Sequence, residues 1–92
     1  MLRITIPSTG KSQLTFTTFE RYDLPAPSSG VDAEINDDLI LQFEDEQEAV
    51  NYAEQLENLS NSLDDKSSPQ NIAVGDMIIA IWNDEFVKAY TE

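Results

Sequence analysis

Four side chains with oxygen atoms stand at alternate positions in one stretch of the chain, Asp32, Glu34, Asn36 and Asp38. A calcium loop uses this spacing so that oxygens converge on a hard cation. It also turns sharply at a glycine in its sixth place and closes with a bidentate glutamate in its twelfth. Here Asp37 holds the sixth place, Phe43 the twelfth, and Glu44 comes one residue late. The stretch therefore reads as a solvated acidic loop that would hold a cation only loosely, and no metal ligand is assigned. Gly10-Lys11-Ser12 suggests a phosphate loop, whose backbone amides cradle phosphate ahead of a helix N-terminus. Thr5 stands where that motif needs its first glycine, and residues 13–19 alternate as a strand, so a hairpin turn is the expectation.

Carboxylates could also work as acid and base, but that needs two of them in one cleft with environments that split their pKa values. The chain has no histidine and no cysteine. Ser-His-Asp chemistry, thiolate nucleophiles, Cys/His zinc sites, disulfides and histidine pH switches are all excluded. No catalytic residue and no cofactor is expected.

The carboxylates are more telling as a surface. Eighteen acids face five bases, for a formal charge of −13, and thirteen of the eighteen fall between Asp23 and Asp65 with no Lys or Arg among them. Such a chain repels nucleic acid and anionic membranes and attracts basic proteins. Asp37, Asp38 and Glu46 are the acidic candidates for partner contact. A nucleic-acid mimic, or a protein that neutralises a basic toxin, is the alternative reading of the same charge. Against the mimic stands the outer face of the expected helix, rich in Gln and Asn, with Glu54 and Glu57 as its evident charges.

Ninety-two residues make one domain, 1–92, with a single core. Without a leader-like apolar run or a stretch long enough to span a bilayer, a cytoplasmic location is the expectation. Leu2, Ile4 and Ile6 alternate with Arg3 and Thr5 as a first strand, and Leu14 and Phe16 alternate with Thr15 and Thr17 as a second, antiparallel to it over 13–19. Residues 23–38 read as a long loop with room for a short strand at Val31–Ile35. Leu39, Leu41 and Phe43 mark a third strand. From Glu46 to about Leu63 the apolar residues Ala49, Tyr52, Ala53, Leu56 and Leu59 recur at helical spacing, with Asp45 as N-cap and Glu48 completing a capping box.

The last twenty residues read as a hairpin, Met77–Trp82 with Glu85–Tyr90, turning at Asn83-Asp84. That pairing puts Met77, Ile79, Ile81, Phe86 and Tyr90 on one face and Ile78, Ala80, Trp82, Val87 and Ala89 on the other. Both faces are apolar, and one helix covers only one of them. The second face is covered either by the 24–35 loop or by a protein partner or second copy of the chain, centred on Trp82 with Ile78, Ala80, Val87 and Ala89. The expected fold is α+β, a mainly antiparallel sheet of about five strands with one helix on one face, in the order β-β-(loop)-β-α-β-β. The expected function is a non-catalytic, acidic protein-interaction or regulatory module.

The join LILQFEDEQEAVNYAEQLE, residues 39–57, resembles the strand-to-helix segment of a small uncharacterised family of cyanobacterial and plastid proteins, in which a similar apolar strand ends in Phe-Glu before a helix with Ala and Tyr inward. That resemblance covers about a fifth of the chain. It implies an α+β domain and supplies no functional residues.

Overall fold

In the computed structural model, which describes residues 1–6 and 14–92, the chain is an α+β protein that is mostly helical, with a three-stranded antiparallel sheet and a helix-rich C-terminal half. The elements are β1 (Leu2–Ile6), α1 (Phe16–Arg21), β2 (Val31–Ala33), β3 (Leu39–Phe43), α2 (Glu46–Ser62), α3 (Pro69–Trp82) and α4 (Glu85–Thr91).

β1 forms where alternation foretold it, with Leu2, Ile4 and Ile6 buried and Arg3 and Thr5 exposed. Its partner is different. β1 pairs with β3 in the register Leu2↔Phe43, Ile4↔Leu41 and Ile6↔Leu39, which puts six apolar side chains on one face. β2, inside the stretch expected to hold a short strand, pairs with the other edge of β3 through Val31↔Leu41 and Ala33↔Leu39, giving the order β1-β3-β2. Gly30 leads into β2 at a φ of 82°, a left-handed conformation that favours glycine. On the opposite sheet face Arg3 and Asp32 form an ion pair at 3.2 Å across the middle strand.

The strand expected over 13–19 is a correction. Residues 16–21 are helical because Thr15 and Thr18 cap each other: Thr15 Oγ1 accepts from Thr18 N at 3.2 Å, and Thr18 Oγ1 accepts from Thr15 N at 2.7 Å. Two alternating apolar residues are too few to fix a period, and Phe16 and Phe19 are three apart, as a helix requires. Gly10-Lys11-Ser12 and the turn expected around them lie outside the described residues.

α2 matches its expected span closely. Asp45 Oδ1 accepts from Glu48 N at 3.0 Å, as an N-cap should. Glu48 does not close the box onto Asp45. Its carboxylate instead accepts from Glu44 N at 3.0 Å and from Ser28 Oγ at 3.1 Å.

The C-terminal hairpin is the larger correction, and with it falls the five-stranded sheet covered by a single helix. Ser68 Oγ accepts from Asn71 N at 3.1 Å, Pro69 occupies the first turn, and the chain runs helically to Trp82. Asn83 has a φ of −91°, so no turn with positive φ forms there. Asp84 is the N-cap of α4, its Oδ1 accepting from Phe86 N at 2.9 Å and Val87 N at 3.1 Å. An unbroken apolar run fits a buried strand and a buried helix equally, and here capping at both ends decides.

Packing follows from these elements. α2 presents Ala49, Tyr52, Ala53 and Leu56 and α3 presents Ala73, Val74, Met77 and Ile81 to the apolar sheet face, and Val87 of α4 joins the same core. Small residues at Ala53 and Ala73, both fully buried, suit the close approach of α2 and α3. At the corner between these helices the Ser60 hydroxyl donates to Oδ1 of the buried Asn71 at 2.7 Å, so this polar group inside the protein is satisfied.

Candidate partner-binding surfaces

The acidic residues singled out in the sequence have separate settings. Asp37 is tied to α1. Its carbonyl accepts from Phe16 N at 2.9 Å and its carboxylate from Thr17 N at 3.3 Å, and the Thr17 hydroxyl and amide hold the carboxyl below the usual aspartate range. Asp37 also has a φ of 65°, which aspartate tolerates better than most residues. Asp38 is half-buried beside it, and its carbonyl accepts from Glu34 N at 3.0 Å. Glu46 is half-buried in the first turn of α2, where the helix dipole favours a carboxylate. Asp37 and Asp38 precede β3 and Glu46 follows it, so strand geometry places the two groups roughly 20 Å apart. They do not form one site.

The loosely calcium-like stretch does not converge. Asp32 is ion-paired with Arg3 and accepts from Ala33 N at 2.8 Å, and Asp37 is turned to α1. Among the described residues no group of three carboxylates comes together to hold a metal ion. Asp65 is held low by hydrogen bonds from the Ser67 hydroxyl and amide, a local turn contact.

Two hollows flank α2. One, of about 240 Å³, lies between the 26–28 segment and α2 and has Tyr52 in its wall and Glu48 as its carboxylate. The other, of about 280 Å³, is lined by Met1, Leu2, Glu44, Asp45, Glu46 and Phe86. Tyr52 donates to the Pro25 carbonyl at 2.6 Å, and burial pushes its phenol well above the ordinary tyrosine range. A phenol with a raised folded-state pKa contributes stability that is complete below the unfolded value near about 10 and is lost as pH climbs through the folded one. Tyr52→Phe should cost about 1 kcal/mol at neutral pH, and the variant should lose less stability than the parent between about pH 9 and 11. Urea unfolding across that range checks both, and parallel pH curves would contradict the assignment.

The apolar candidates are redistributed by the helical backbone. Ile78 and Trp82, four apart, are half-buried together along one side of α3, and Ala80 is half-buried on the side away from them. Val87 is fully buried in the core, while Ala89 is exposed on α4. The indole Nε1 of Trp82 donates to Glu57 Oε1 on α2 at 3.1 Å. The sheet face that was to unite these five residues does not exist.

Residues that the hairpin reading missed now stand out. Ile72 and Ile79 are 38% and 59% exposed on the outward side of α3, two turns apart. Phe86 and Tyr90 are exposed on α4, the Tyr90 hydroxyl meeting Gln47 Oε1. The signal for the α3 pair was the Ser68-Pro69 helix start: helical spacing applied from there puts Ile72 and Ile79 on the side opposite Met77 and Ile81. Among the described residues no helix is long and apolar enough to cross a membrane.

No family model, curated protein or solved structure matches the chain.

Proposed function

We propose that the chain is a non-catalytic, acidic interaction module that recognises a basic protein partner. The observation that carries this reading is the charge balance together with its placement. Eighteen acids face five bases, and among the described residues one ion pair, Arg3 with Asp32, joins an acidic to a basic side chain. The acidic side chains are exposed or half-exposed throughout, on loops, at helix starts, in β2 and along the bodies of α2 and α3. An excess of surface carboxylates raises the local concentration of cationic partners and speeds their encounter, and salt screens that attraction.

The nucleic-acid mimic is the less favoured form of the same idea. A mimic needs carboxylates spaced like phosphates along one face, and the outer face of α2 carries the uncharged Gln47, Asn51, Gln55 and Asn58 alongside Glu54 and Glu57. Two further carboxylates serve as helix caps, Asp45 and Asp84. The chain as an affinity ligand for a lysate of its host, washed at about 0.05 M and then about 0.5 M salt, tests the reading. Retention of a basic protein that elutes with salt is expected. A retained protein of acidic or neutral charge, or retention indifferent to salt, would contradict it.

A further inference from the structure

The outward side of α3 carries an apolar stripe that no other described element covers. Ile72, Gly75 and Ile79 follow one another at spacings of three and four, with the half-buried Ile78 and Trp82 alongside. A helix with apolar residues on both sides suits burial on both sides. Gly75 adds a second, independent observation. A Cβ built there meets nothing within 4 Å, and its backbone is not left-handed, so among the described residues neither crowding nor conformation calls for glycine. Glycine is also among the residues that most weaken a helix interior. Its value here is the notch it leaves between Ile72 and Ile79, where another backbone can approach closely.

The charge around the stripe selects the occupant. Residues 67–87 contain no Lys or Arg, Glu57 holds the indole at one side, and Asp84 and Glu85 follow the end of α3. The C-terminal end of α3 adds the negative pole of its dipole to the same region. A second copy of the chain, itself at −13, would be repelled. We infer that this face of α3 docks an amphipathic basic helix of another protein, its apolar side crossing at Gly75 between Ile72 and Ile79 and its Lys and Arg reaching the surrounding carboxylates. The inference rests on the basic-partner reading above and deepens it by naming the surface and the shape of the ligand.

A labelled Leu/Lys peptide of about 18 residues, patterned as an amphipathic helix of about five turns, tests it by fluorescence anisotropy. The control has the same residues in an order that destroys the apolar stripe. The full chain should bind the patterned peptide at least about tenfold more tightly than the control, and Ile79→Ser should remove most of that preference. Gly75→Ala should raise Tm while weakening the patterned peptide several-fold, a combination that loss of folding cannot produce. Equal binding of both peptides, with Ile79→Ser silent, would overturn docking on α3 and leave the basic-partner reading standing. Failure of either peptide to bind even at low salt would overturn both. Sedimentation showing a self-associated chain that Ile79→Ser turns into monomers would overturn the basic helix in favour of a second copy.

Discussion

Ile81→Ala should destabilise the protein by about 3–4 kcal/mol, while Ile79→Ala should change its stability by less than about 0.5 kcal/mol. The two isoleucines are two residues apart, and a strand would put them on the same face with similar costs. A helix turns about 200° between them. Ile81 is fully buried in the core beside Met77 and Val74, and truncation there loses the transfer energy of its methyl groups and leaves a cavity. Ile79 is 59% exposed and gains slightly in helix propensity when replaced by alanine. Urea unfolding of the two variants separates these cases. Similar losses at both positions would restore the hairpin and remove α3 from the account.

Phe43→Ala should cost about 3–5 kcal/mol, a large share of the roughly 5–15 kcal/mol that holds a small domain folded. Phe43 ends the middle strand of the sheet, pairs with Leu2 across to β1, and is fully buried. Its ring centroid lies 5.6 Å from that of Tyr52 at a tilt of 54°, so the substitution also removes an aromatic contact between the sheet and α2. Thermal unfolding by circular dichroism should show Tm depressed by well over about 10 °C. A loss below about 1 kcal/mol would mean that β3 does not occupy the centre of the core.

These two residues also mark how far the sequence could be read. Phe43 was legible because Leu39, Leu41 and Phe43 alternate over a full strand and Asp45 then offers a cap for an amphipathic helix, so local pattern and local cap agree. β1 was legible for the same reason. Its partner was not, because pairing of β1 with β3 joins residues about forty apart, and the cheaper local hairpin wins on sequence alone. At Thr15 to Phe19 alternation over a few residues competed with a reciprocal threonine cap, and the cap prevailed. From Met77 to Trp82 six consecutive apolar residues satisfy either period. The deciding information lay at the ends, in Ser68-Pro69 and in Asp84, where Ser68 caps α3 and Asp84 caps α4.

The candidate surface moved for the same reason. Trp82 and Ile78 remain on one side of α3, but Ala80, Val87 and Ala89 leave that side once the period changes from two to about 3.6. Ile79, which the strand reading put on one face with Met77 and Ile81, becomes an outward residue together with Ile72. Asp37 illustrates the converse. Its acidity was visible in the sequence, while its hydrogen bonds to α1 depend on a helix and a loop meeting in space twenty residues apart.

The proposal that negative charge draws the partner while the α3 stripe seats it is tested most directly by titration calorimetry of the chain with the basic protein it captures, repeated across salt concentrations. The affinity should fall at least about tenfold between roughly 0.05 and 0.5 M salt. Ile79→Ser should shift that line downward without changing its slope. An affinity unchanged across the same range would contradict the account.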